Sequence, residues 1–228
     1  MSFARGSLLS SSIFRKQLVA LTGLVMVGFI LGHMAGNLLI FLGPNIFNDY
    51  ADKLASLGEL LWIIRTGLVI SILMHIYFTA KLTRENSKAR RTRYEVYTPS
   101  ADNKFARMTM IYSGILLFCF LILHLTDFTL AEKEGAASVL GAQKLRLFGL
   151  VWNSFLNPWR DLVYILAVCS VGLHLSHGIQ SFIQTIGFNH PRYTPWILKA
   201  SVILGIIVAV GFSSIPVYVM VRQHTIGY

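Results

Sequence analysis

Residues 17–42 read QLVALTGLVMVGFILGHMAGNLLIFL, a run in which one histidine is the only ionisable side chain. The hydrocarbon core of a bilayer is about 30 Å thick, and a helix of roughly 20 apolar residues crosses it. Backbone polar groups in lipid must be paired within the segment, so we read this run as a transmembrane helix. It is too long for the apolar region of a signal peptide, and no small-residue cleavage site follows it, so we expect it to remain in the protein.

Four more stretches of this kind follow the first. Only 13% of the 228 residues are charged, about half the proportion of a soluble protein, and 54% are hydrophobic. We therefore predict an all-α membrane protein with five transmembrane helices in one bundle over residues 1–228, and no internal repeat is apparent. The predicted spans are 17–42, 60–82, 109–130, 162–186 and 196–221.

The charged residues fall into two groups along these spans. If the N-terminus is cytoplasmic, thirteen of the twenty basic residues lie in cytoplasmic segments, whereas seven of the ten acidic residues lie outside. The positive-inside rule therefore predicts a cytoplasmic N-terminus and an external C-terminus. The strongest signal is KLTRENSKARRTRYEV (81–96), which would face anionic lipid or a cytoplasmic partner. The net charge of +10 thus indicates membrane topology and not nucleic-acid binding.

The two external connections, 43–59 and 131–161, are longer than tight turns, and we expect interfacial structure there. Trp152 and Trp159 would lie in an aromatic belt at the membrane surface. At the cytoplasmic end of the first span, Arg15 and Lys16 would extend toward lipid headgroups.

The histidines are the most informative residues. Four of the five spans carry at least one, and ionisable groups at membrane depth usually face a bundle interior with a function. At 1.5 Å per residue, His33 and His124 lie about 23 to 24 Å from the cytoplasmic side, and His75 and His174 about 10 to 18 Å. Depth therefore sorts them into an outer pair, His33 with His124, and an inner pair, His75 with His174.

Two imidazoles that face each other across a bundle supply the two axial ligands of haem b, and two such pairs would hold two haems. Zinc is disfavoured because its sites need three or four ligands at one depth. A proton relay of histidines stays open, although relays usually include acidic residues inside the spans. Glycines near the histidines, including Gly32, Gly36 and Gly178, would let a macrocycle approach the helices, or they would serve ordinary helix packing.

The residues resemble a known family at this point. ALTGLVMVGFILGHMAGNLLIFLGP (20–44), SILMHIYFTAKL (71–82), LLFCFLILHLTDF (116–128) and VGLHLSHGIQSFIQTIG (171–187) resemble the first four helices of a cytochrome b subunit. This subunit is the membrane anchor of succinate:quinone oxidoreductases, the succinate dehydrogenases and fumarate reductases, in its single-chain, five-helix, two-haem form. The likeness extends from about residue 14 to residue 220.

The resemblance implies that His33 and His124 hold the distal haem and that His75 and His174 hold the proximal one. In the fourth membrane-spanning helix of the family, the haem-binding histidine is followed four residues later by a glycine. His174 fits this pattern, because Gly178 follows it by four residues. His177, which depth alone favours slightly, would then contact a haem propionate or be buried without a ligand role.

The resemblance also implies partners and a substrate. Flavoprotein (FAD) and iron–sulfur subunits would dock on the cytoplasmic side, in respiratory complex II of the tricarboxylic acid cycle, and succinate–fumarate chemistry would lie on the flavoprotein. A membrane quinone, expected to be menaquinone, would react near the distal haem, with Glu59 and Asp127 as candidate quinone or proton residues. The location would be the bacterial inner membrane, where higher oligomers of the complex are compatible with the sequence.

Two alternatives remain open. The chain could be the cytochrome b anchor of another membrane oxidoreductase, such as a hydrogenase or formate dehydrogenase, although those distribute their histidines less evenly among helices. It could also be a transporter that binds no haem and whose histidines are incidental.

Overall fold

The computed structural model describes residues 11–89, 104–131 and 146–225. Several charged residues of the topology argument lie outside these ranges, namely Arg5, Arg90, Arg91, Arg93, Glu132 and Glu134. Within them the chain forms seven α-helices and no strand: α1 (Ser12–Leu38), α2 (Pro44–Ala55), α3 (Glu59–Ala89), α4 (Lys104–His124), α5 (Arg146–Ser154), α6 (Pro158–Thr185) and α7 (Thr194–Thr225).

Five stretches are long and apolar enough to cross a membrane, which confirms that part of the predicted fold. They are Ser12–Leu42, Glu59–Ala89, Thr109–Thr129, Pro158–Thr185 and Thr194–Gln223. The first includes a short 3₁₀ segment, Leu39–Leu42, after α1. The third includes a π-helical turn, Leu125–Thr129, after α4. The orientation of the termini stays a prediction.

Local sequence signals set where the helices begin. Gly43 has a φ of 96°, a left-handed conformation that glycine adopts without strain, and Pro44 then opens α2. At α6, Asn157 caps the helix by accepting a hydrogen bond from the Trp159 N–H at 3.0 Å, and Pro158 is the first helical residue. Each of the two long connections thus contains a short helix, α2 or α5, ahead of a long one, α3 or α6.

The two ends of the bundle differ in composition. We call the end where α1 begins the basic end, because Arg15, Lys81, Arg84, Lys88 and Lys199 lie there. We call the other the α2–α5 end, since α2 and α5 pack together there. Both short helices lie in the connections predicted to be interfacial. Asp52 of α2 and Arg146 of α5 form a bidentate ion pair, whose hydrogen bonds and charge raise the pKa of Arg146 above its ordinary value.

The best-packed core lies at the α2–α5 end. It joins residues of α2, α5, α6, α7 and the 3₁₀ segment: Ile40, Phe47, Phe148, Val151, Trp152, Phe155, Tyr164, Ile215 and Val219. The expected aromatic belt is therefore wrong for Trp152, which is 5% exposed because it packs between Phe148 and Tyr218. Trp159 is 77% exposed, as a belt residue would be.

Arg15 also differs from expectation. Its guanidinium is buried and forms an ion pair with Glu85 of α3, with Nη1 2.5 Å from Oε1. An acidic partner on the neighbouring helix holds the side chain in the protein, so it does not extend toward headgroups. Lys16 is exposed.

α1 and α6 are the central helices of the bundle. α1 packs on α3, α6 and α7, whereas α6 packs on α7, α4 and α1. The α6–α7 contact is the closest of these, because a Cβ built on Gly172 would lie 2.5 Å from the backbone oxygen of Gly205. Small residues at such crossings let two backbones touch in a membrane, where helix association depends on packing.

We expect Gly172→Ala to lower the free energy of unfolding by about 1 to 3 kcal/mol, because the new methyl group must push α7 away from α6. Thermal denaturation in detergent measures the change. Gly67→Ala is the matched control, since a Cβ at Gly67 meets nothing within 4 Å. Equal midpoints for the two variants would contradict the close packing of α6 and α7.

Candidate functional site

The structure brings the four histidines together in two pairs. His33 of α1 and His124 of α4 have ring centroids 5.7 Å apart, with ring planes at 84°. His75 of α3 and His174 of α6 lie near enough to interact electrostatically. These are the pairs that depth predicted, while haem ligation by them stays a prediction.

Aromatic rings surround the His33–His124 pair. Phe29 stacks on His33 at 5.2 Å, and Phe212 of α7 lies 5.8 Å from it. His124 contacts a larger group whose centroids lie between 5.4 and 6.2 Å away, made up of Phe120, Phe128 and Tyr164. The walls of this site are therefore mostly apolar, and its polar groups are the imidazoles, the phenol of Tyr164 and the amide of Asn37.

The hydrogen bonds of the His33–His124 pair are incomplete. Asn37 donates to the backbone oxygen of His33 at 2.8 Å, and the same Nδ2 lies 3.3 Å from His33 Nδ1. His124 Nδ1 is buried and has no hydrogen-bond partner in the described part of the chain. Buried polar nitrogens are normally paired, so an unpaired one marks a place where a ligand can bind.

The His75–His174 pair is held differently. His75 Nδ1 lies 3.2 Å from the backbone oxygen of Val19 and 3.2 Å from the Thr22 hydroxyl, both on α1. His174 Nδ1 lies 2.9 Å from the Ser113 hydroxyl on α4. Each imidazole is thus fixed by one nitrogen to a neighbouring helix, and its second nitrogen is available for another partner.

The predicted glycines do not share one environment. A Cβ built on Gly32 or Gly178 meets nothing within 4 Å; Gly32 is exposed, whereas partly buried Gly178 leaves room beside His174. A Cβ on Gly36 would lie 2.5 Å from the Tyr50 hydroxyl oxygen, because the ring of Tyr50 packs directly on this glycine. Gly36 therefore provides the contact between α1 and α2.

His177 is buried, one turn from His174, and it interacts electrostatically with that residue. Glu59 is exposed at the first position of α3. Neither placement tests the role that the sequence suggested.

Asp127 belongs to a charged cluster next to the His33–His124 pair. The Tyr164 hydroxyl donates to Asp127 Oδ2 at 2.7 Å, and Arg160 Nη1 lies 3.4 Å from Oδ1. The side chain of Asp127 is only 9% exposed. It lies in the π-helical turn that follows His124, closed by a hydrogen bond from Leu130 N to Leu125 O at 2.8 Å. Such turns are rare and frequently occur at functional sites.

Sequence reasoning missed Tyr164, Arg160 and Asp161. Arg160 and Tyr164 are four residues apart, so they lie on the same face of α6, and this spacing could have indicated a joint role. Asp161 is 5% exposed, and its carboxylate oxygens have no hydrogen-bond partner in the ranges that the structure describes. Its position in the first turn of α6 places its negative charge where the helix dipole favours it.

The chemistry of the site follows from these donors. Within the described residues, no group of three or more metal-binding side chains lies together. The imidazoles occur as pairs, and a pair of imidazoles suits a metal that already has other ligands. Comparisons of the chain with protein-family models, with curated proteins and with solved structures found no match.

We expect Tyr164→Phe to lower the free energy of unfolding by about 1.5 to 3 kcal/mol, because the buried Asp127 carboxylate loses a hydrogen bond. Chemical denaturation in detergent measures the change, with Tyr112→Phe, at an exposed position of α4, as control. In an Asp127→Asn background the effect of Tyr164→Phe should shrink. An unchanged effect in that background would show that the hydroxyl does not act through Asp127.

Proposed function

We propose that this chain is the membrane-anchor cytochrome b subunit of a succinate:quinone oxidoreductase and that it holds two haem b groups. The observation that carries the proposal is that imidazoles of four different helices occur as two pairs in one bundle, His33 in ring contact with His124 and His75 in electrostatic interaction with His174. His33 and His124 would be the axial ligands of one haem, and His75 and His174 those of the other. Haem b, when bound, carries one electron at a time.

The surroundings of the histidines fit such a group. The ring centroids of His33 and His124 lie 5.7 Å apart, which would let both imidazoles hold one haem. The space at Gly178, one turn from His174, also agrees with a bound planar group beside that imidazole. The apolar rings around the first pair would exclude water from it.

The chain's own residues would set the properties of the two sites. Thr22, Val19 and Ser113 hold the His75–His174 pair through Nδ1, whereas aromatic rings surround the other pair. Hydrogen bonding and polarity around axial ligands tune a haem's potential. The two sites therefore differ in the features through which a protein adjusts electron affinity.

Asp127 is the better supported of the two quinone or proton candidates. It is nearly buried, follows His124 by three residues and contacts the Tyr164 hydroxyl and Arg160. A carboxylate, a phenol and a guanidinium together can hydrogen-bond a quinone oxygen and hold a proton beside it. Glu59 is a candidate from its sequence position alone. Menaquinone is the quinone that the family resemblance favours.

The basic end would face the cytoplasm, as the positive-inside rule indicates. Flavoprotein and iron–sulfur subunits would dock there, and the positive charge suits an acidic partner surface. The family resemblance implies that the membrane would be a bacterial inner membrane. One histidine pair would lie nearer the docked subunits and the other nearer Asp127.

The haem content of the purified protein tests the proposal. We expect a reduced-minus-oxidised spectrum with a Soret band and two haems per chain. His33→Ala and His124→Ala should each remove the same haem, and His75→Ala and His174→Ala the other, because each haem loses an axial ligand. His190→Ala, in an exposed turn between α6 and α7, is the control and should keep both.

A colourless wild-type protein from cells supplied with iron and porphyrin precursor would overturn the proposal and would favour a transporter. Loss of a haem in His177→Ala, together with retention of both in His174→Ala, would show that His177 is the ligand.

Co-purification from native membranes tests the partner assignment. A tagged chain should bring down an iron–sulfur protein and a flavoprotein that keeps its flavin fluorescence on a denaturing gel. The preparation should reduce a quinone with succinate as donor. Subunits of a hydrogenase or formate dehydrogenase in their place would make the alternative cytochrome b function correct.

A further inference from the structure

Helices α1 and α4 carry the same short sequence pattern. A hydroxyl residue is followed directly by a glycine. Five residues then separate the glycine from a phenylalanine, and three residues separate the phenylalanine from a histidine. In α1 the pattern is Thr22, Gly23, Phe29 and His33, and in α4 it is Ser113, Gly114, Phe120 and His124.

The phenylalanine of each pattern contacts the histidine of the same helix. Phe29 stacks on His33 at 5.2 Å, and Phe120 lies 5.8 Å from His124. The spacing of four residues places each phenylalanine one turn before its histidine, on the same helix face.

The glycine and the hydroxyl residue of each pattern contact a histidine of a different helix. A Cβ built on Gly23 would lie 3.4 Å from Cε1 of His75, and one built on Gly114 would lie 3.7 Å from Cε1 of His174. Each imidazole therefore lies beside a glycine of the neighbouring helix, at a distance where a Cβ would make an ordinary contact. The hydroxyl residue beside the glycine then reaches Nδ1 of that imidazole.

The hydrogen-bond pattern fixes which nitrogen of His75 carries the proton. The Thr22 hydroxyl lies 2.8 Å from the backbone oxygen of Leu18, to which it donates. It can then only accept from His75 Nδ1, as can the Val19 carbonyl oxygen at 3.2 Å. His75 Nδ1 is therefore the protonated nitrogen, and Nε2 keeps a free lone pair.

The same reasoning applies to His174. The Ser113 hydroxyl lies 2.9 Å from His174 Nδ1 and 3.1 Å from the backbone oxygen of Met110. With its proton directed to the Met110 oxygen, the hydroxyl accepts from Nδ1, and Nε2 of His174 then keeps a free lone pair. Both imidazoles thus present Nε2, the nitrogen that can bind a metal, on the side of the ring away from the hydroxyl.

We propose that Thr22 and Ser113 are positioning residues for the metal-binding imidazoles of His75 and His174, a role that rests on the proposed haem function. Each hydroxyl accepts the Nδ1 proton, fixes the tautomer and orients the ring. Partners of this kind also make an axial imidazole a stronger electron donor to its metal.

The two hydroxyls do not contribute equally. His75 Nδ1 has a second acceptor in the Val19 carbonyl, so it stays hydrogen-bonded when the Thr22 hydroxyl is removed. For His174 Nδ1, the Ser113 hydroxyl is the acceptor that the described residues provide. Removal of Ser113 should therefore have the larger effect.

The test compares Ser113→Ala and Thr22→Val in the purified full-length protein loaded with haem. Redox titration gives the potential of each haem, and transfer to apomyoglobin gives the rate of haem loss. In Ser113→Ala, the haem of the His75–His174 pair should have a raised potential and should be lost about 10- to 100-fold faster, the usual cost of removing such a partner. The other haem should be unchanged, and Thr22→Val should change the same haem less.

Two kinds of variant serve as controls. Ser71→Ala removes a hydroxyl of α3 whose hydrogen bond among the described residues is to the Gly67 carbonyl, so both haems should keep their properties. Ser113→Thr and Thr22→Ser keep the hydroxyl and should restore the wild-type potential, which a purely structural loss would not do.

The outcomes separate this inference from the proposed function. A wild-type protein without haem would overturn the proposed function itself. A wild-type protein with two haems, together with Ser113→Ala indistinguishable from Ser71→Ala, would overturn only the positioning role. Equal shifts of both haems in Ser113→Ala would also overturn it, because they would indicate a general loss of stability.

Discussion

The structure depends on how four imidazoles inside long apolar helices satisfy their polar nitrogens. Lipid offers no hydrogen bonds, so each ring must find partners within the bundle. His75 and His174 do so through a backbone carbonyl and two hydroxyls of neighbouring helices, whereas His33 and His124 approach each other inside a ring of aromatic side chains. The helix arrangement, with α1 and α6 at the centre, brings these rings together in pairs.

Hydropathy and charge were sufficient to predict the five long helices, because the bilayer sets both their length and their composition. The histidine pairs could also be anticipated, since depth along a helix follows from residue count. Neither signal carries information about rotation of a helix about its axis. This is why Tyr50 at Gly36 and the buried Trp152 were not foreseen.

The cluster of Asp127, Tyr164 and Arg160 shows a second limit of sequence reasoning. Its members are 33 to 37 positions apart between two helices, and the π-helical turn after His124 changes the face on which Asp127 lies. Regular helical spacing does not predict such a turn. The pattern shared by α1 and α4 was visible in the sequence, but only the contacts of Gly23 and Gly114 give it a meaning.

The contact between Gly172 and Gly205 has an evolutionary consequence. When two side chains meet at a helix crossing, a larger residue on one side can be offset by a smaller one on the other. Here each residue already has hydrogen in place of a side chain, so no exchange can compensate for growth at either position. The pair can therefore only be retained, or lost together with the spacing of α6 and α7.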